Sequence, residues 1–439
     1  FRDPLYDYIR IERGVDGWLL ELLETAEVQR LRRIHQLGMS HFTYTGAEHS
    51  RLSHSLGVVH LMQEALSHLR NDLGADREVT ESRRPLLAAA LLHDVGHGPF
   101  SHLFEGCLGL DHESWSCLVV NSPETEVHQV LKKHGIQPWE VTELIRDDGA
   151  PGAVWRKSLL SSQLDVDRLD YLRRDSLFTG AGFGHYDYYR LLHSFTLDDS
   201  PRGRDLVWTM KAAFAVEEYI FARFYMYNTV YMHKTTRGYE RLLQQLWKRA
   251  EALEAAGNHV EWLPAFAEFR AAKRPNAGQY LALEEFSTLA QIQTWTKSGD
   301  RALSDLARRF LARRGFVAVD APSGEDPLRD DYTEWEATLQ QLVGGWSEFQ
   351  PADCYVVRDD MRTNIYTTVY VPKAAGEWAT SLTTIRIRPE DGGPPVEISQ
   401  LLPRIAPVVN RQETRVRYYL PREARPAALK LRAQWTARG

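Results

Sequence analysis

One stretch limits the fold more than any other. Leu86 to Leu92 carries only leucine and alanine, and His93, Asp94, Val95 and Gly96 follow directly. Leucine and alanine are strong helix formers, and a helix that is apolar on every side belongs in the middle of a protein. Pro85 can open this helix at its first turn, where its missing N–H is not needed. The expectation is a central buried helix that ends on a histidine and a carboxylate. Adjacent nitrogen and oxygen ligands suit a divalent metal with open coordination positions. Burying both without a metal or hydrogen-bond partners is costly. The alternative is that His93 and Asp94 only cap the helix and bond its backbone, and the dipeptide alone leaves both readings open.

The surroundings of that helix read as mainly helical. Residues 18 to 37 carry an apolar stripe that includes Leu19, Leu23, Leu31 and Ile34, with Gly38 as a stop. A second helix is expected over Ser50 to Leu69, burying Leu52, Leu56, Val59, Met62, Leu66 and Leu69. Leu164 to Leu177 and Val216 to Ala255 are further helices, and Phe195 to Leu197 pairs with Leu206 to Trp208 as a short hairpin. After about residue 315 the texture changes to short β-rich runs at Cys354–Val357, Ile365–Val371, Thr384–Ile387 and Arg415–Leu420. The expected architecture is an all-helical core over residues 1–315, with the hairpin near 195–208, and a smaller α+β lobe over residues 316–439.

Composition sets limits on function. With 43% hydrophobic residues among 439 the chain can bury a large core. A net charge of -6 argues against coating a long polyanion, though it leaves room for a local basic pocket. Three scattered cysteines fit a reducing compartment, so a cytoplasmic location is expected. No apolar run approaches the roughly 20 residues of a membrane span.

A metal would need more ligands than His93 and Asp94. His54 lies on the second helix, where a satisfied core histidine is the plain alternative. Asp167 lies in Asp165-Val166-Asp167-Arg168-Leu169-Asp170-Tyr171, where an exposed pairing with Arg168 or Arg174 is the plain alternative. At 100° per residue, Asp167, Arg168, Tyr171 and Asp175 share an arc of about 100°. The same construction groups Arg223, Tyr227, Tyr231 and Lys234 within about 80°. Two such faces suit a pocket for an anion that carries a ring, although Tyr227 and Tyr231 also fit a helical core.

The ordered set His54, His93-Asp94, Asp167 resembles the H…HD…D signature of the HD phosphohydrolase superfamily. The stretches His49-x-Arg51-x-x-His54-Ser55-Leu56-Gly57, His93-Asp94-x-Gly96-His97-Gly98-Pro99-Phe100-Ser101-His102 and Asp165-Val166-Asp167-Arg168-x-Asp170-Tyr171 look like its dNTP triphosphohydrolase branch. The resemblance implies metal ligation by His54, His93, Asp94 and Asp167. It implies proton-transfer or supporting roles for His97, His102, Glu105, His112 and Glu113, with Glu105 standing where relatives have Asp. Arg51, Arg168, Arg223 and Lys234 match a cationic phosphate site, Lys234 also fitting an adjacent regulatory surface. Gln36, Leu37, Tyr171, Asp175 and Tyr231 match the surroundings of sugar and base, where Tyr227 stands in place of a histidine seen in vertebrate relatives. In relatives, the counterparts of Gln36 and Asp175 contact the 3′-hydroxyl, and those of Leu37 and Tyr231 crowd the 2′ position.

The implied chemistry is attack by a metal-activated water on the α-phosphorus of a dNTP, releasing a deoxynucleoside and inorganic triphosphate. His102, held by Glu113 or Glu105, is the expected acid for the departing oxygen. The implied cofactor is a divalent ion (Fe, Mn, Zn, Ni or Co) at the HD site, with Mg on the substrate phosphates. The implied partners are a dNTP substrate, a GTP or dNTP activator and further copies of the chain in a dimer or tetramer, with nucleic acid secondary and no membrane. Gln29, Arg32, Arg190, Lys211 and His233 match effector positions. Thr209 replaces an arginine there, and an exposed polar helix face is the favoured reading of Gln29, Arg30, Arg32 and Arg33. Two other functions fit the same residues: a phosphodiesterase or 3′ exonuclease acting on single-stranded nucleic acid, and a catalytically quiet nucleotide sensor.

Overall fold

The computed structural model describes residues 1–101, 111–146, 154–200, 203–322, 332–364, 384–409 and 412–436. It is mainly α, with a helical core and a smaller α+β lobe. Around the apolar run the helix spans Asp76–Leu92, and Leu86 to Leu92 is at most 1% exposed. Pro85 lies inside this helix and does not open it. An internal proline removes one backbone bond and crowds the preceding turn. Asp76 and Glu78 favour the earlier start, since carboxylates in a first turn complement the helix dipole.

The helix Arg51–Asn71 packs alongside. Its expected stripe is buried except for Leu56, which is half-buried. The segment 18–37 is not one helix: it breaks into Arg13–Leu23, Ala26–Arg30 and the 3₁₀ turn Leu31–Arg33. Past that turn the chain is extended. His35 bridges Ser50, Gln36 N–H donates to His49 O at 3.0 Å, and Arg51 N–H donates to Ile34 O at 2.9 Å. This lays Gln36 and Leu37 across the start of the helix that carries His54.

The expected helix Val216–Ala255 is also interrupted. Ala213–Met226 runs into a π turn, Tyr227–Tyr231, and a new helix starts at Lys234–Ala255 with His233 as its N-cap. The hairpin Phe195–Ser200/Gly203–Thr209 forms as expected. Its second strand pairs in parallel with Arg386–Arg388, which pairs in turn with Val396–Glu397. Ile385, Ile387, Ile398 and Ile405 join the hydrophobic cluster of the N-terminal helices. A second sheet places Gln412–Leu420 between Val317–Asp320 and Val357–Asn364, all antiparallel. It shares a second cluster with Lys234–Ala255 and Arg301–Leu311. The expected strand Ile365–Val371 lies outside the described residues. Among the described residues no helix is long and apolar enough to cross a membrane.

His35 ties the early chain to a later helix. Its Nδ1 bonds the buried Glu285 carboxylate and its Nε2 meets Glu48 at 2.8 Å. Burial opposes the imidazolium, but Glu285 and then Glu48 outweigh it and raise His35 to about 9. The raised value means the pair stabilises fully below about pH 6.5 and loses its contribution as pH rises through about 9. We expect His35→Gln to cost about 2 kcal/mol in urea melts at pH 6 and almost nothing at pH 10. Equal losses at both pH values would refute the charged pair.

Candidate active site

Three elements converge at the end of the apolar helix. Arg51–Asn71 contributes His54, the end of Asp76–Leu92 contributes His93 and Asp94, and the first turn of Val166–Thr179 contributes Asp167. Asp165 caps that last helix by accepting from Arg168 N–H. His54 Nε2 lies 3.0 Å from Asp167 Oδ1, 3.3 Å from His93 Nε2 and 3.8 Å from Asp94 Oδ2. His93 Nε2 lies 3.6 Å from Asp167 Oδ1 and 3.5 Å from Asp94 Oδ1. Ligands bound at about 2.0–2.2 Å to one ion stand roughly 3.0–3.6 Å apart. His54, His93 and Asp167 therefore stand close enough to share one divalent ion, and Asp94, 3.5–3.8 Å from the two histidines, lies at its edge beside His97.

Their orientation comes from a layer behind them. His54 Nδ1 meets Asp170 Oδ2 at 2.8 Å, which turns Nε2 toward the site. Asp170 is held by Arg174, and Arg174 by Asp3. A Cβ at Gly57 would stand 1.8 Å from Asp170 Oδ1, so this glycine lets the carboxylate reach His54. His93 Nδ1 donates to Ala90 O at 3.0 Å, which leaves Nε2 as the ligand atom. Burial disfavours the Asp94 carboxylate, but Arg51, His93 and His97 hold its pKa well below the usual range. Burial also opposes the His54 imidazolium, yet Asp167 and Asp170 raise it to about 10.

The site opens into a cavity of about 590 Å³. Gln36, Leu37, Arg51, His54, Asp94, His97, His112, Glu113, Asp167, Arg168, Tyr171, Asp175, Tyr227 and Tyr231 all line it, as the sequence reading grouped them. Tyr231 O–H donates to Asp175 Oδ2 at 2.8 Å, and Arg168 Nη1 reaches the Tyr171 hydroxyl at 3.3 Å. The rings of His97 and His112 stack 3.9 Å apart at 12°. Together with Asp94 they come close enough to suggest a second ion. Parallel rings at that spacing cannot both aim in-plane lone pairs at one ion, so the pair suits proton handling instead. His102 and Glu105 lie outside the described residues.

Models of known families match two stretches of the chain: an HD domain at residues 51–175 and an HD-associated region at residues 186–261. The uncharacterized protein YwfO of Bacillus subtilis is 39% identical over 329 residues, covering 74% of this chain and 73% of its own length. This chain belongs to the HD-domain phosphohydrolase family. A phosphohydrolase structure from Bacteroides thetaiotaomicron superposes with a TM-score of 0.76 at 26% identity, covering 96% of this chain and 99% of its own. The deoxynucleoside triphosphate triphosphohydrolase SAMHD1 homolog of Dictyostelium discoideum is 27% identical over 274 residues, 58% of this chain and 51% of that protein. HD domains are metal-dependent, and the cradle described above lies within the matched stretch.

Several residues of this HD-domain hydrolase sit elsewhere than the sequence reading put them. Arg223 is buried beside the cavity, its Nη1 donating to Gln163 Oε1 at 2.7 Å and its guanidinium 5.6 Å from the Tyr227 ring. Lys234 lines a neighbouring groove of about 190 Å³ with Asn228, Met232, His233, Met361, Arg415 and Arg417. The π turn and the break at Met232 rotate it away from Tyr231. In its place Thr236, Arg237, Glu240, Arg241 and Gln244 line the cavity, none of which the sequence reading singled out.

Arg30 is not on an exposed face. It is 2% exposed and donates to the carbonyls of Leu281, His97 and Leu283. Tyr280 O–H donates to Gly96 O at 2.7 Å while its ring stacks on Trp115, so two side chains clamp the loop after His93. Gln29 is half-buried and accepts from Arg32, which is exposed. Arg190 pairs with Asp187, and Lys211 is exposed on a neighbouring 3₁₀ turn.

Proposed function

We propose that this HD-domain phosphohydrolase cleaves deoxynucleoside triphosphates to deoxynucleoside and inorganic triphosphate. The observation that carries the reading is one cavity with two opposed chemistries. His54, Asp94, Asp167 and Arg51 form one wall, with His93 in contact with His54, and a carboxylate with two tyrosines, Asp175, Tyr227 and Tyr231, forms another. A divalent ion in the cradle would lower the pKa of a coordinated water and offset phosphate charge. Arg51 and Arg168 stabilise the triphosphate as charge moves onto it. Asp175 repels phosphate and accepts a sugar hydroxyl. Leu37 and Tyr231 narrow the space beside that sugar, and the His97–His112 pair can move a proton to the departing oxygen. The dNTP triphosphohydrolase among the relatives supports this choice of substrate.

The test is product analysis on metal-loaded protein with all four dNTPs, all four NTPs and single-stranded RNA, with and without GTP. Triphosphate released from dNTPs alone is the expected result. Mononucleotides from RNA would favour a phosphodiesterase or 3′ exonuclease. Binding without turnover in Mg²⁺, Mn²⁺ and Fe²⁺ would favour a nucleotide sensor. In the same assay Leu37→Ala should lower the dNTP:NTP ratio of kcat/KM by roughly tenfold, the scale of a hydrophobic gate. An unchanged ratio removes Leu37 from the gate.

A further inference from the structure

His49 opens the motif that contains Arg51 and His54, yet it does not line the cavity or touch the metal cradle. It is 4% exposed. Its Nε2 meets Asp175 Oδ1 at 2.7 Å, and its ring stacks on Phe178 at 4.5 Å and 18°. Asp175 is 1% exposed as a whole residue, while its carboxylate reaches the cavity wall. One carboxylate oxygen therefore faces His49 and the other accepts from Tyr231. Each oxygen keeps lone-pair capacity for a further donor, since a carboxylate offers about four acceptor sites. The backbone of His49 holds a second cavity residue, because its carbonyl accepts from Gln36 N–H.

The imidazole is an expensive way to fill this space. Its Nδ1 is buried and has no hydrogen-bond partner among the described residues. A buried polar atom without a partner is destabilising, so an apolar ring would pack at lower free energy. The return on that cost lies at Nε2, which fixes the direction of Asp175. A carboxylate held between two donors cannot rotate to follow a ligand. It presents its lone pairs at one place on the wall, and it accepts only from a group that carries a hydrogen.

We infer that His49 is a positioning residue: it holds Asp175 in the one orientation that accepts a hydroxyl of the substrate, and so sets the requirement for that hydroxyl. The inference rests on the proposal that the substrate is a nucleotide. His49 acts through Asp175 and never meets the substrate. Its loss should therefore appear in substrate discrimination, with metal content unchanged.

The experiment compares the four dNTPs with the four 2′,3′-dideoxy counterparts, by Kd and by kcat/KM, on wild type, His49→Leu and His49→Gln. Wild type should prefer the hydroxyl-bearing nucleotides by roughly tenfold or more, the scale of one buried hydrogen bond. His49→Leu keeps bulk and loses the donor. Its preference should fall to within about threefold of unity, through KM more than kcat. His49→Gln keeps a donor and should recover most of the preference. If His49→Leu does not fold, His49→Asn, whose shorter amide withdraws the donor, is held to the same criterion. A wild type indifferent to the hydroxyl overturns the sugar reading of Asp175, and the inference with it. A discriminating wild type whose donor-free variant discriminates equally overturns the role of His49 alone.

Discussion

Asp167→Ala, and separately the double change His93→Ala/Asp94→Ala, should leave a folded helical protein that keeps no stoichiometric metal and has lost turnover by roughly 10³-fold or more. Each change removes ligand atoms from a cradle in which His54 and His93 stand 3.0–3.8 Å from the Asp94 and Asp167 carboxylates. Metal content by elemental analysis and helicity by circular dichroism check the two halves separately. Wild-type activity in either variant would remove the metal assignment. The same cradle predicts a pH dependence. The proton that Asp167 and Asp170 keep on His54 up to about pH 10 must leave before Nε2 can bind an ion. Apparent metal affinity should therefore rise as pH rises toward that value, with proton release on binding. A pH-independent affinity would contradict the geometry.

Asp170→Ala should be the most damaging change outside the ligand set. Asp170 is fully buried and accepts from both His54 and Arg174, and burial raises its pKa less than Arg174 and His54 lower it. Removing it strands the buried Arg174 guanidinium with Asp3 alone, and breaking a buried pair costs about 3–5 kcal/mol. It also frees the His54 ring, and loss of such an orienting partner weakens metal binding by about 10–100-fold. Chemical denaturation and metal titration should show both losses together. A variant as stable as wild type with unchanged metal affinity would show that the layer behind His54 is dispensable. The depressed pKa adds a sign: this stabilisation is present above about pH 4 and fades only in strong acid.

Much of the site was legible because it rests on local pattern. His93-Asp94 ends an apolar run, and Asp167, Arg168, Tyr171 and Asp175 share one face of a continuous helix, Val166–Thr179. Those four line one cavity, as a rotation of 100° per residue requires. The second stripe, Arg223, Tyr227, Tyr231 and Lys234, does not stay on one face. A π turn spans Tyr227–Tyr231 and the helix restarts at Lys234, so the rotation does not carry across. Its central members Tyr227 and Tyr231 reach the cavity, while Arg223 and Lys234 at the two ends do not. Arg30 departs from the expected exposed face for a different reason. Its neighbours Arg32 and Arg33 are exposed, and only the arrival of residues 281–283 from far along the chain buries it.

Residue type and spacing within single helices suffice to read the helical core, the central buried helix and one wall of the cavity. The four candidate ligands lie on three helices and come from the resemblance of the ordered motifs to a known family. Tertiary structure alone decided which polar groups stand behind the ligands. It tied Asp170 to His54, Arg30 to the carbonyl of His97, His49 to Asp175, and the start of Lys234–Ala255 to the far side of the cavity. The partners in these ties lie from tens to hundreds of residues apart in the chain. No helical or strand period links them, and a hydrogen bond between such segments exists only once packing has set their distance and direction.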